Sequence, residues 1–270
     1  MKKTALFLMA VLCVCGCCRK EAKLVILHTN DTHSHFEAMR SGEYTGHGGV
    51  LERAAFIDSV RTAEGEDRVL LLHAGDFSQG SSYFTELGGE LEIQTINAMR
   101  YDVVTLGNHE FDNDIEALTE RVKKLTGTKV VCANLDLEPF ELGQYVTPYA
   151  IVERGGMKIG IIGMESDIST NVAKTVSARM QQLDNVTVIN KWSDYLHNTE
   201  KCDLIILLSH LGFREDEETV PQTHFLDLEI GGHSHTFIDE MESLTDADGK
   251  KVPMVTDGCW GLEMGKITVY

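Results

Sequence analysis

Short runs of aliphatic and β-branched residues alternate along the chain with longer amphipathic stretches. The runs Leu24–Leu27, Val69–Leu72, Val103–Leu106, Lys129–Cys132, Lys158–Ile162, Leu204–Leu208, Leu228–Ile230, Val252–Val255 and Lys266–Val269 predict strands. Between them, Val50–Thr62, Glu90–Met99, Asp114–Leu125 and Thr187–Asn198 carry apolar residues at helical spacing. Continuous apolar strands separated by helices predict a buried sheet covered by helices, an α/β fold. No internal repeat or low-complexity tract interrupts the pattern.

The chain has 270 residues, of which 43% are hydrophobic and 24% charged, enough to bury a substantial core. Its formal charge of −18 argues against general nucleic-acid binding, because no basic surface is present to neutralise a phosphate backbone. The same charge opposes any anionic substrate, unless bound cations attract it locally.

The first residues read as an export signal. Lys2 and Lys3 precede an apolar run, Ala5–Val14, that is too short to span a membrane. The run ends in Val14-Cys15-Gly16-Cys17, which resembles a bacterial lipoprotein cleavage box. That likeness implies lipidation of Cys17 and a protein held on a bacterial membrane, facing the periplasm or cell surface. The expected organisation is a signal peptide over residues 1–17, a tether over 18–22 and one catalytic domain over 23–270. Cys18, Cys132, Cys202 and Cys259 are widely spaced, so no zinc ribbon or disulfide framework is expected.

The residues immediately after the apolar runs carry the chemistry. Leu24–Leu27 leads into His28-Thr29-Asn30-Asp31-Thr32-His33, and Val69–Leu72 into His73-Ala74-Gly75-Asp76. Val103–Leu106 leads into Gly107-Asn108-His109-Glu110, Leu204–Leu208 into Ser209-His210, and Leu228–Ile230 into Gly231-Gly232-His233-Ser234-His235. Five strands thus deliver Asp, Asn and His at their C-terminal ends, where open α/β sheets bind ligands. A mixed nitrogen and oxygen donor set suits two divalent ions such as Mn, Zn, Fe or Co better than calcium. Each fragment alone reads better as a set of ordinary turn residues; their order, glycines and strand context together favour a site.

Taken in order, Asp31-x-His33, Gly75-Asp76, Gly107-Asn108-His109-Glu110, His210 and Gly232-His233-Ser234-His235 resemble the calcineurin-like metallophosphoesterase superfamily. His28-Thr29-Asn30-Asp31-Thr32-His33 and Gly107-Asn108-His109-Glu110-Phe111-Asp112 are similar to the catalytic domain of bacterial 5′-nucleotidases. The resemblance implies a four-layer α/β/β/α sandwich of two mixed sheets flanked by helices. It implies one metal on Asp31, His33 and His235, a second on Asn108, His210 and His233, and Asp76 bridging them. It further implies that His109 stabilises the transferring phosphoryl group, with Asp112 orienting its ring, while metal-bound hydroxide attacks phosphorus. The expected reaction is hydrolysis of a nucleotide to nucleoside and phosphate. Rival expectations are a phosphodiesterase acting on cyclic nucleotides or nucleotide sugars, and a non-catalytic metal-binding surface lipoprotein.

Full-length 5′-nucleotidases carry a C-terminal specificity domain, for which a chain ending at Tyr270 leaves no room. A separately encoded domain is therefore an expected partner. Among other residues, His28, His35 and His73 read as structural or supporting, and His47 as a loop residue. Trp260 reads as a core aromatic, and Glu110 as either solvated or supporting. Asp112 or Asn113 has an alternative role as a helix cap. The acidic run Glu215–Glu218 reads as a solvated loop or helix start.

Overall fold

A computed structural model describes residues 23–270. The expected signal peptide, Cys17 and the tether lie outside the described residues. Among the described residues no helix is long and apolar enough to cross a membrane.

Two six-stranded sheets carry the chain. The first runs in space Gly265–Val269, Leu24–Thr29, Val69–His73, Val103–Thr105, Lys129–Val131 and Val146–Thr147. The second runs Glu242–Thr245, Lys251–Val255, Leu228–Ile230, Leu204–Ser209, Met157–Met164 and Tyr149–Arg154. Inner neighbours are parallel, whereas Gly265–Val269, Glu242–Thr245 and Tyr149–Arg154 pair antiparallel at edges, so both sheets are mixed.

Strand alternation sorts the side chains into three cores. Leu24, Ile26, Leu70 and Leu72 meet Ile159, Ile161, Ile206 and Leu208 between the sheets. Val25, Leu27, Val69 and Leu71 face outward onto the helices Val50–Glu64, Glu90–Met99 and Asp114–Val122, through Ile57, Ile93, Ile96, Ile115 and Leu118. Beyond the second sheet, Ile162, Ile205 and Leu207 pack against the helix Asn185–Asn198 through Val188, Ile189 and Leu196. The layers are helix, sheet, sheet, helix, as expected. Because inner strands are parallel, Thr29 stands level with His73, and Leu208 with Ile230. Their C-terminal loops therefore emerge along common edges.

The expected strands all form, with shifted ends. The apolar pattern does not reveal Tyr149–Arg154, an edge strand whose Glu153 and Arg154 break its apolar run. It joins Met157–Met164 through Gly155-Gly156, whose φ values of 58° and 72° suit a tight hairpin turn. The acidic run opens a helix, Phe213–Thr219, as one of its two readings had it, but solvation needs correction for Asp216, which is 1% exposed. Cys132 and Cys259 are buried free thiols, while Cys202 is half-buried.

Candidate active site

The strand-end motifs converge. Asp31, His33 and His235 bring donor atoms within 4.8 Å of one another, and Asp76, His210 and His233 do the same. Asp31 Oδ1 lies 3.7 Å from His33 Nε2 and 3.6 Å from His235 Nε2. Asp76 Oδ2 lies 3.1 Å from His210 Nε2 and 3.8 Å from His33 Nε2, which puts one carboxylate between the two groups.

Several of these atoms have no protein partner. His210 Nδ1 donates to the Ala74 carbonyl at 2.6 Å, so in the neutral ring Nε2 presents a lone pair to the Asp76 carboxylate. That contact lacks hydrogen-bond alignment, and Asp31 Oδ1, Asn108 Oδ1 and His210 Nε2 are all buried without a hydrogen bond. Lone pairs facing lone pairs in a dry site are what a cation completes, so these residues fit a divalent metal.

The backbone is bent to make this possible. Asp31 (φ 46°), His33 (46°), Asp76 (54°), His233 (69°) and His235 (53°) all adopt left-handed conformations. Such residues cost about 1–3 kcal/mol each and concentrate at functional sites. Gly107 serves by close approach: a Cβ there would sit 2.3 Å from Asp76 Oδ1 and 2.7 Å from His210 Nε2.

The family model for calcineurin-like phosphoesterases matches residues 24–237. The chain is 34% identical to a snake venom 5′-nucleotidase from Naja atra, over 92% of this chain and 50% of that protein. Among solved structures, a 5′-nucleotidase precursor from Thermus thermophilus superposes with a TM-score of 0.80 at 32% identity, covering 90% of this chain and 50% of that one. An NAD nucleotidase from Haemophilus influenzae gives 0.80 at 26% identity, covering 91% and 46%. The chain belongs to the calcineurin-like phosphoesterase family. It spans about half the length of the curated relatives it matches.

The matched region contains every residue of this site. Its charges suit cation binding. Burial pushes His33 and His233 down to about 4, so both rings are neutral near pH 7. Burial raises Asp31 to about 7. Burial works against the Asp76 carboxylate, and its carboxyl is held well below the usual range only by positive charge, above all on His210 when that ring is protonated; a cation between them would supply the same charge.

His109 stands beside this centre, its ring centroid 5.3 Å from that of His33. Its Nδ1 lies 2.8 Å from Asp112 Oδ2, and that hydrogen bond raises the His109 pKa despite partial burial. The N-cap position of the helix Asp114–Val122 falls to Asn113, not Asp112, and Asn113 makes no side-chain capping bond.

Glu110 proves to be fully buried. Its carboxylate accepts the backbone N–H groups of Asp76 at 2.9 Å, Ser78 at 3.0 Å and Gly107 at 2.6 Å, stitching two site loops together. Asn30 carries no signal of its own within its motif. It donates from Nδ2 to Asp31 Oδ2 and the Gly258 carbonyl, both at 2.7 Å, and accepts from Asp257 N–H at 2.8 Å. Asn171, 3.3 Å from His233 Nε2, lies in a segment with no sequence signal at all.

His28 and His73 are supporting residues: His28 Nδ1 is 2.7 Å from Asp257 Oδ2, and His73 Nε2 is 3.0 Å from Thr32 Oγ1. Trp260 departs from the core reading. It is half-buried, stacks on His35 and donates its backbone N–H to the Asp31 carbonyl. His47 is exposed.

Proposed function

We propose that residues 23–270 form a two-metal catalytic unit that hydrolyses a phosphate monoester, with a 5′-nucleotide as substrate. The observation that carries this reading is Asp76 Oδ2, which belongs to one three-residue donor group, 3.1 Å from His210 Nε2, and lies 3.8 Å from His33 Nε2 of the other. Asp31, His33 and His235 would hold one ion, Asn108, His210 and His233 the other, and Asp76 both. Two divalent ions there would withdraw charge from the phosphoryl group and activate water.

The protein's own groups do the rest. Asp112 holds His109 Nδ1, leaving Nε2 as the ring position that donates a proton to the leaving oxygen. The same imidazolium offsets charge that gathers on the phosphoryl oxygens. Glu110 and Asn30 keep the site loops rigid, so the donors need not reorganise when substrate arrives. Nucleotide recognition is proposed from relatives such as the 5′-nucleotidases of Naja atra and Thermus thermophilus. A specificity domain on another polypeptide is the matching partner proposal, and anchorage through Cys17 the matching proposal for location.

Phosphate release tests the reading, using 5′-AMP, a cyclic nucleotide, a nucleotide sugar and an aryl phosphate with added manganese or zinc. Preferred turnover of 5′-AMP supports it. Turnover of the cyclic nucleotide or nucleotide sugar alone would make the enzyme a phosphodiesterase. Two bound metals with no turnover of any ester would leave a non-catalytic metal-binding protein.

A further inference from the structure

The loop that carries Asp31 and His33 is strained over much of its length. Asp31, His33 and Ser34 are all left-handed, with φ values of 46°, 46° and 53°. Such a backbone persists only where its surroundings over-determine it. The N–H groups of Asp31, His33 and Ser34 donate to the carbonyls of Gly75, Asp76 and Phe77 at 3.0, 3.0 and 3.1 Å. All three acceptors belong to the neighbouring site loop. These bonds hold the two loops together without fixing either to the helices outside the sheet.

Glu92 makes that connection. It lies in the first turn of the helix Glu90–Met99, is 3% exposed, and accepts the Ser34 hydroxyl at Oε1. Its Oε2 has no hydrogen-bond partner in the protein. A carboxylate buried with so little compensation is costly, and an apolar residue at this helical position would avoid the cost.

Arg121 of the helix Asp114–Val122, also buried, supports the arrangement from the next helix. It donates to the Gly88 carbonyl at 3.2 Å, just before the helix of Glu92, and to the Glu110 carbonyl at 2.5 Å. Burial disfavours the Arg121 charge, and the carboxylates of Glu110 and Glu92 offset this. Glu92 thus reaches the loop of His33, and Arg121 the segment of Asn108 and His109.

We propose that Glu92 is a positioning residue for the metal centre, acting through Ser34 to hold the His33 ring in place. The role rests on the two-metal reading given above. His33 Nδ1 lies 3.3 Å from the Ser78 carbonyl, while Nε2 stands 3.7 Å from Asp31 Oδ1 and 3.8 Å from Asp76 Oδ2. Loss of the Glu92 bond frees two adjoining left-handed residues to relax, and the ring follows the backbone.

The test is manganese titration of the metal-free full chain by calorimetry, in wild type, Ser34→Ala, Glu92→Ala, the double variant and Glu92→Gln. Ser34→Ala and Glu92→Ala should each weaken one of two bound ions by about 10–100-fold, the range for removing a residue that supports a ligand. The double variant should lose no more than either single one, because both remove the same bond. Glu92→Gln keeps the acceptor oxygen and should restore affinity. Leu196→Ala, which loosens the distant helix Asn185–Asn198, should keep both affinities and so separates positioning from general loss of stability. Two ions bound with unchanged affinity in Ser34→Ala, or additive losses in the double variant, would overturn the role of Glu92 alone. Wild type that binds no manganese would overturn the proposed centre and this role with it. If Glu92→Ala fails to fold, Ser34→Ala against wild type decides.

Discussion

Glu110 Oε2 accepts the backbone N–H of Asp76 at 2.9 Å, joining residues 34 apart in the chain. With its bonds to Ser78 and Gly107, the Glu110 carboxylate fixes the loop of Asp76 relative to the loop of Asn108. Glu110→Ala strands three N–H groups, each costing about 1–3 kcal/mol if left unsatisfied. The expected outcome is destabilisation of at least about 3 kcal/mol in urea unfolding, with weaker manganese binding by calorimetry. Full stability and affinity would refute the stitching role.

His109→Ala should lower kcat by about 10²–10⁴, the range for losing a general acid, and leave the bound-metal count unchanged. Atomic absorption beside phosphate-release kinetics separates these effects. Metal loss in the variant would mean that His109 is a ligand.

The Asp112 hydrogen bond is the largest cause raising the His109 pKa. An acid must keep its proton, so activity should fall as pH rises through this pKa. Asp112→Asn removes the cause, and the basic limb of the kcat profile should move to lower pH. An unmoved limb would assign it to another group.

Burial raises the Asp216 carboxyl to about 7, and burial with the nearby Asp216 charge raises Glu229 well above the usual carboxyl range. Both carboxyls hold protons more tightly folded than unfolded. These two groups therefore favour the folded state most at about pH 4 and below, and that contribution declines as pH rises toward 7. Glu229→Gln should flatten that decline, as followed by thermal melts across the window.

Leu196 of the outer helix is fully buried and fits against Gly160, where a Cβ would approach its Cδ1 to 2.8 Å. Leu196→Ala should cost about 2–5 kcal/mol, from lost burial plus a cavity. Folded variant should keep its kcat, since the site lies at the strand ends.

The sequence order of the strands and their terminal Asp, Asn and His motifs was legible, because each motif is local and comes directly after an apolar run. Glu110 was not, since its three acceptor bonds reach loops separated by two helices and a strand. Glu229 lay hidden inside an apolar run, and Asp216 inside an acidic one that reads as solvated. Their proximity depends on the helix Phe213–Thr219 folding back onto the strand, a long-range contact that no local pattern encodes. The left-handed backbone at Asp31, His33 and His235 is likewise invisible in residue type, because these side chains do not demand it.

The most direct measurement is manganese-dependent phosphate release from 5′-AMP by wild type and Asp76→Asn, before and after chelation. A two-metal nucleotidase predicts activity in wild type that chelation abolishes and manganese restores, with Asp76→Asn nearly inactive and short of metal. Wild-type activity that survives chelation, or full activity in Asp76→Asn, would contradict it.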